Sequence, residues 1–205
     1  DKAHREGEGV SARVMARLIE AVEFEKIVVV DLHSEMVAGF FKRPVVHLYG
    51  AAVFVEKLRE LSEDLVVVAP DAGAAKRAQK FAEMLDVTLT YMAKKRNLEK
   101  LHTLEHLSLV GDVSGKTAVL IDDVVTSGST LVKAAYALKE QRAKKVIACV
   151  THADFVEGTR EILVNSPLDH VYVSDSIQLP EAYRFAKLSI VSIAPLLAAQ
   201  IKKMS

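Results

Sequence analysis

VLIDDVVTSGST (residues 119–130) is the stretch of this sequence that says most about the fold. Branched apolar residues lead into two adjacent acids, and after two valines come hydroxyl residues with one glycine. A short apolar run that ends in turn-forming residues predicts a strand covered on both faces. We therefore expect a buried strand over 117–122 that ends at Asp122 and Asp123.

Similar strand patterns alternate with helical patterns through most of the chain. The other predicted strands are 26–31, 64–70, 87–92 and 145–151, and the predicted helices are 11–22, 51–61, 74–85, 130–139, 156–164 and 193–203. Strands that alternate with crossover helices indicate a doubly wound, mainly parallel sheet. The expected fold class is therefore α/β.

Two stretches interrupt this alternation. Residues 41–51 contain Pro44 and Gly50 without a clear period, which indicates a seam between domains. Residues 93–106 are polar and basic, and a connection of that length in an α/β domain is usually functional or mobile. We interpret the second stretch as an active-site flap, with a short exposed helix as the alternative.

The composition argues against several classes of protein. The 205 residues are 50% apolar, enough to bury a sizeable core in one large or two small domains. Basic and acidic residues number 27 each, whereas proteins that bind nucleic acid or membrane surfaces usually carry a basic excess. No apolar run approaches the ~20 residues of a membrane span, and no signal peptide is evident. Because Cys149 is the single cysteine, an internal disulfide is excluded, and we expect a soluble, cytoplasmic protein.

The two acids and the hydroxyl-rich turn form a candidate ligand site. Ligands of open α/β sheets bind at the carboxyl ends of strands, and small residues before a helix let backbone N–H groups surround a phosphate. Two carboxylates beside such a turn suit the paired hydroxyls of a sugar, or a Mg²⁺ ion held near them. Ribose 5-phosphate fits best, while the alternative is that an acid merely caps the turn. No G-x-x-x-x-G-K-[ST] motif is present, which argues against a P-loop nucleotidase.

The same stretch carries a resemblance to a known family. VLIDDVVTSGSTLVKAA resembles the loop shared by type I phosphoribosyltransferases and ribose-phosphate pyrophosphokinases. Residues 28–50, 66–85, 109–123 and 174–180 resemble the pyrophosphokinases in their order, over almost the whole chain. The resemblance implies a sheet of the phosphoribosyltransferase kind and transfer of the diphosphoryl group of ATP to ribose 5-phosphate. It also implies that Mg²⁺ bridges the ATP phosphates.

The resemblance implies roles for residues on the ATP side of the site. His33 of the D-L-H motif would contact the ATP phosphates and the metal, and Asp71 of P-D-A-G would bind Mg²⁺. Lys94 and Arg96 match a catalytic pair that binds ATP and stabilises the transferring phosphoryl group, although Lys95 leaves the register open by one residue. Without the resemblance, the alternatives are that His33 is an ordinary surface or core histidine and that Asp71 is a turn residue. The basic triplet 94–96 would then be a solvated patch.

The resemblance also implies a sugar-phosphate site. Asp122 and Asp123 would hold the ribose hydroxyls. The 5-phosphate loop would consist of Thr126, Ser127, Gly128, Ser129 and Thr130. Many family members have a third acid where this chain has Thr126, so we expect altered affinity. Ala93 replaces an acid that often precedes the catalytic lysine, with no defined consequence.

The resemblance bears on domain organisation as well. Family members have about a hundred more residues at the N-terminus, including a loop that clasps adenine, whereas this chain starts at Asp1. We expect 1–46 to be the remnant of an N-terminal domain on which a C-terminal helix, 193–205, packs, and 47–192 to be the phosphoribosyltransferase-like domain. A homo-oligomer is expected. A non-catalytic regulatory paralogue and a phosphoribosyltransferase stay open as alternatives.

Overall fold

The structure is a computed structural model that describes residues 9–95 and 106–204. The chain divides into two compact units, Asp1–Gly50 and Ala51–Ser205, each with its own sheet. None of the helices within the described ranges is long and apolar enough to cross a membrane.

The first unit contains a two-stranded parallel sheet. Its elements are helix α1 (Ser11–Ile19), strand β1 (Ile27–Val30), a 3₁₀ helix (Glu35–Phe40) and strand β2 (Val45–Leu48). β2 pairs with β1 along its whole length, so a boundary at residue 46 would cut this pair, and the unit continues to Gly50. The sequence showed β2 only as part of an irregular stretch, because four residues are too few to establish a period.

A seven-stranded sheet organises the second unit, in the order β5-β4-β3-β6-β7-β8-β9. The strands are β3 (Leu65–Ala69), β4 (Thr88–Lys95), β5 (His106–Val110), β6 (Thr117–Val125), β7 (Lys145–Ala153), β8 (His170–Ser174) and β9 (Leu188–Val191). Only the pair of β4 and β5 is antiparallel. The predicted α/β fold with a mainly parallel sheet is confirmed, although β5, β8 and β9 were not predicted.

Helices cover both faces of this sheet. They are α2 (Val55–Arg59), α3 (Ala75–Leu85), α4 (Ser129–Glu140) and α5 (Thr159–Val164). Further elements are 3₁₀ helices at Gly50–Phe54 and Glu181–Tyr183, and helix α6 (Ala194–Lys202), in which no residue is buried. One buried cluster joins α4 and α5 to the sheet through Leu131 and Leu163, and another joins α2 and α3 through Leu58 and Phe81. Burial on both faces explains why the central strands read as continuous apolar runs.

Three predicted helices differ from the observed ones. The predicted helix 11–22 is shorter, because α1 ends at Ile19. The predicted helix 51–61 is split into a 3₁₀ helix followed by α2, which ends at Arg59. The predicted helix 156–164 begins only at Thr159, because Gly158 before it has a φ of 83°, outside the helical region. Amphipathic spacing locates a helix in the sequence, but the backbone conformation of single residues sets its ends.

Thr90, in β4, should be a weak point of the second unit. Its hydroxyl is buried and, within the described part of the chain, has no hydrogen-bond partner. Thr90→Val replaces this hydroxyl with a methyl group of the same shape, so the cost of burying an unsatisfied polar group disappears. We expect the free energy of unfolding to rise by about 1 kcal/mol, measured by urea denaturation.

Thr117→Val is the matched control for this prediction. Thr117 is equally buried, but its hydroxyl donates a hydrogen bond to the Glu63 carboxylate. The same substitution should therefore lower the stability here. If Thr90→Val destabilised the chain as Thr117→Val does, the Thr90 hydroxyl would have a hydrogen-bond partner in solution.

Candidate functional site

Asp122 and Asp123 lie inside β6, and the prediction that the strand ends at these acids is wrong. Pairing with β7 carries β6 past the acids to Val125, opposite Ala153. On its other side, β6 pairs with β3 only as far as Leu120. The acids therefore lie in a segment of β6 that has a neighbouring strand on one side only, and they still border the carboxyl edge of the sheet.

Arg77, from α3, contacts both acids. Its Nη1 lies 3.4 Å from Asp122 Oδ1, and its Nη2 lies 3.0 Å from Asp123 Oδ2. The side chains are 13% exposed for Arg77, 21% for Asp122 and 4% for Asp123. A carboxylate as buried as that of Asp123 needs a nearby positive charge, and the guanidinium supplies it.

Sequence reasoning missed Arg77, although a signal was present. Arg77 stands four positions before Phe81, which is fully buried in the core. Residues four apart lie on the same face of a helix, so Arg77 lies on the apolar side of α3. A charged residue on the buried face of a helix is expected to have a charged partner.

The two acids influence each other's ionisation. Burial is the largest cause that raises the pKa of Asp122, from its ordinary 3.8 to about 7. A hydrogen bond with the Asp123 carboxyl group and the charge of that group raise the pKa further, whereas the charge of Arg77 lowers it. The backbone N–H of Asp123 also donates to Asp122 Oδ1, at 2.9 Å, and lowers the pKa. Near neutral pH the pair therefore holds a proton part of the time.

The turn after β6 brings small residues to the same edge of the sheet. Gly128 has a φ of 75° and no side chain to cap α4, which begins at Ser129. The hydroxyls of Ser127 and Ser129 lie 3.0 Å apart. The turn is held in place by the buried Thr159, whose hydroxyl donates to the Thr126 carbonyl at 2.6 Å. The predicted loop is thus built as a compact turn at a helix N-terminus, and Thr130 is exposed in its first turn.

Asp71 lies at the same edge of the sheet, because it follows β3, the parallel neighbour of β6. Its Oδ1 accepts a hydrogen bond from the backbone N–H of Ala74, at 3.0 Å. This bond closes the turn that leads into α3, so the local turn role considered for Asp71 is present. Its role as a metal ligand stays a prediction.

His33 belongs to the first unit, where it is exposed shortly after β1. The backbone before it is fixed by Asp31, which has a φ of 43° and accepts a hydrogen bond from the Gly50 N–H at 3.0 Å. The N–H of Leu32 donates to Nε2 of His47, at 3.2 Å. His47 was not singled out in the sequence, and it holds the D-L-H motif from β2. Contact of His33 with ATP or metal stays a prediction.

Lys94 lies within β4, where its backbone pairs with Leu107 of β5. The prediction that the strand ends at residue 92 is therefore wrong, because pairing with β5 extends β4 to Lys95. Arg96 lies outside the described residues, as does most of the predicted flap 93–106. The catalytic roles of Lys94 and Arg96 stay predictions.

The carboxylate of Asp71 suits a magnesium ion that has few protein ligands. Within the described ranges, no group of three or more His, Cys, Asp or Glu side chains is placed to hold a metal ion. Mg²⁺ in phosphate-transfer sites is usually held by one or two carboxylates, with substrate phosphates and water as further ligands. Asp71, a single carboxylate on the turn after β3, fits that mode of binding.

A family model described as "Phosphoribosyl transferase domain" matches residues 50–187. The chain belongs to the phosphoribosyl transferase domain family. Within this domain, the matched range contains Asp71, both acids of β6 and the whole turn that follows. The resemblance noted in the sequence is thereby confirmed at the level of the domain.

Longer relatives agree with the finer resemblance. A "Ribose-phosphate pyrophosphokinase" of Thermosipho africanus is 39% identical over 210 residues. The match covers 100% of this chain and 64% of the relative. One from Synechococcus elongatus is 40% identical, covering 95% of this chain and 59% of the relative. The crystal structure of phosphoribosylpyrophosphate synthetase from Mycobacterium smegmatis is 36% identical, with a TM-score of 0.86, covering 100% of this chain and 66% of that one. The chain thus spans less than two thirds of these relatives.

Proposed function

We propose that this chain acts as a ribose-phosphate pyrophosphokinase. The diphosphoryl group of ATP would pass to the anomeric hydroxyl of ribose 5-phosphate, giving phosphoribosyl pyrophosphate and AMP. The observation that carries the proposal is the pair Asp122 and Asp123 beside the turn 126–130, at one edge of the sheet. The similarity to relatives of that name supports it.

The sugar phosphate would bind across this edge. The 5-phosphate fits the turn, where backbone N–H groups at the start of α4 and the hydroxyls of Ser127 and Ser129 are close together. The carboxylates of Asp122 and Asp123 would accept hydrogen bonds from the ribose hydroxyls. Hydrogen bonds to ionised acceptors are stronger than neutral ones, so this pair would fix the orientation of the sugar.

The ATP side of the site would act by positioning and charge. Asp71 would hold Mg²⁺, and His33, Lys94 and Arg96 would bind the phosphates. When bound, Mg²⁺ neutralises phosphate charge. Both reactants are anions, so cationic side chains near the transferred group lower the barrier by stabilising its charge. The protein residues would otherwise hold the two reacting oxygens in line.

We extend the proposal to the compartment and the assembly of the chain. We propose a cytoplasmic location, which is consistent with a single cysteine, Cys149, that is buried in β7 and whose thiol pKa is raised by that burial. We also propose that copies of the chain assemble with one another. The balance of 27 basic and 27 acidic residues does not favour nucleic acid or an anionic membrane surface as a partner.

AMP release is the direct test of the proposed activity. The chain is incubated with ATP and Mg²⁺, with ribose 5-phosphate, with ribose or with no sugar. We expect AMP and phosphoribosyl pyrophosphate to form only when the sugar carries its 5-phosphate, because the turn 126–130 recognises that group. AMP formation that is indifferent to the sugar would contradict the proposal.

The same preparation distinguishes the two alternatives. A phosphoribosyltransferase would convert phosphoribosyl pyrophosphate and a free purine or pyrimidine base into a nucleotide, and the hydroxyl side chain of Thr126 is the feature that favours it. A regulatory paralogue would bind ribose 5-phosphate, measured by calorimetry, without turnover in either assay. Each alternative therefore has its own positive result.

A further inference from the structure

We propose that Arg77 is a positioning residue of the sugar site, which keeps Asp122 and Asp123 side by side as two acceptors for ribose hydroxyls. The proposal rests on the proposed function. Arg77 was not singled out from the sequence, and the structure identifies it through its contacts with both acids.

The geometry is that of one guanidinium shared between two neighbouring carboxylates. Each terminal nitrogen of Arg77 contacts a different acid, at 3.4 Å and 3.0 Å. The planar fork of an arginine fixes the separation of the groups it binds, which a lysine ammonium cannot do. The second oxygen of Asp123, Oδ1, accepts the N–H of Val124 at 2.9 Å, so that carboxyl group is held at both ends.

The charge of Arg77 acts on the same pair. Adjacent residues of β6 supply two negative charges in a mostly buried place, and each ionised carboxylate disfavours the ionisation of the other. The charged groups that act on Asp122 are Asp123 from its own strand and Arg77 from α3, while Val150, opposite Asp122 on β7, is apolar. Without Arg77, the pair would retain a proton to higher pH and offer one ionised acceptor instead of two.

The position of Arg77 depends in turn on the loop that contains Asp71. α3 begins directly after this loop, and the hydrogen bond from the Ala74 N–H to Asp71 Oδ1 closes the turn. Arg77 lies in the first turn of α3, so the candidate metal carboxylate and the support of the sugar acids are parts of one short segment. The candidate metal ligand and the residue that supports the sugar acids thus both lie at the N-terminus of α3.

Calorimetric titration of ribose 5-phosphate between pH 6 and pH 9 tests this role. Arg77→Met removes charge and fork, Arg77→Lys retains the charge, and Lys116→Met removes a positive charge at the opposite end of β6. Loss of Arg77 raises the pKa of the acids, so binding should require a higher pH. For Arg77→Met we expect affinity about tenfold or more below the wild type at pH 7, recovering toward pH 9. The affinity of Arg77→Lys should lie between those of Arg77→Met and the wild type. The affinity of Lys116→Met should match that of the wild type.

Two results would overturn the role of Arg77. One is binding by Arg77→Met that equals that of Lys116→Met at every pH. The other is a loss of affinity that is the same at every pH, which would mean that Arg77 supports the fold and not the ionisation of the acids.

A second readout separates this role from the proposed function. The ¹³C carboxyl resonances of Asp122 and Asp123 are titrated in the wild type and in Arg77→Met without any sugar. A higher apparent pKa of the pair in the variant supports the role of Arg77, and an unchanged pKa overturns it. If the wild-type chain failed to bind ribose 5-phosphate, the proposed function would fall, and this titration would still decide what Arg77 does.

Discussion

Asp123→Asn is expected to reduce the affinity for ribose 5-phosphate on the order of a hundredfold, which is the loss that a charge-assisted hydrogen bond of ~3 kcal/mol implies. Asparagine has the same shape, and its Oδ1 can still accept the Val124 N–H, so the backbone of β6 should be retained. The group that faces Arg77 Nη2 loses its charge, and an amide nitrogen would donate where a carboxylate oxygen accepts. The affinity is measured by calorimetry at pH 8, above the pKa of about 7 to which burial raises Asp122.

Asp64→Asn is the matched control for this substitution. Asp64 is an exposed acid directly before β3, at the opposite end of the sheet from the candidate site. Asp64→Asn changes the net charge by the same amount as Asp123→Asn, so it reports any general electrostatic effect on the binding of an anion. AMP formation should fall with affinity in Asp123→Asn and stay unchanged in Asp64→Asn. Equal affinities in the two variants would show that Asp123 does not hold the sugar.

The central strands could be predicted from the sequence because each is buried on both faces. β3, β6 and β7 appear as apolar runs with almost no polar interruption, and all five residues of β3 are buried. The helices that cover them repeat apolar residues at helical spacing, as α3 does with Ala78, Phe81, Ala82 and Leu85. Strands of this kind followed by amphipathic helices are sufficient to indicate a parallel α/β sheet.

The strands at the two edges of the sheet could not be predicted, because they are not buried in this way. β5 and β9 are the two edges of the seven-stranded sheet, and both include exposed apolar residues, Val110 and Ile190. A short strand with one open side needs neither a continuous apolar run nor a clean alternation. The end of β6 is a related case, because pairing with β7 and not local composition extends it to Val125.

Without the family resemblance, the site was predictable only where its residues are close in sequence. Asp122, Asp123 and the turn 126–130 form one continuous stretch, and the structure keeps them together. Arg77 and Asp122 are 45 residues apart, and Thr159 and Thr126 are 33 residues apart. Contacts over such separations are set by how α3 and α5 pack on the sheet, which a single sequence does not reveal.

Gly128→Ala should be the most damaging small change in the turn. The φ of 75° at this position is unfavourable for any residue with a Cβ, at a cost of about 1–2 kcal/mol. A Cβ would also lie 2.9 Å from Cδ2 of Leu163, a residue of α5 that is fully buried in the core. Overpacking of this kind adds about 1–3 kcal/mol, so we expect a total loss of about 2–5 kcal/mol in the free energy of unfolding, measured by urea denaturation.

Gly115→Ala separates the two causes. Gly115 has a φ of 72°, nearly that of Gly128, but a Cβ there would meet nothing within 4 Å. This variant should therefore lose only the cost of the backbone conformation, and the difference between the two variants measures the contact with Leu163. Ribose 5-phosphate binding should be unchanged in Gly115→Ala and weakened in Gly128→Ala, because only the second displaces the turn that faces the phosphate. Equal stabilities of the two variants would mean that Leu163 moves aside without cost, and that the turn is not held in place by its packing against α5.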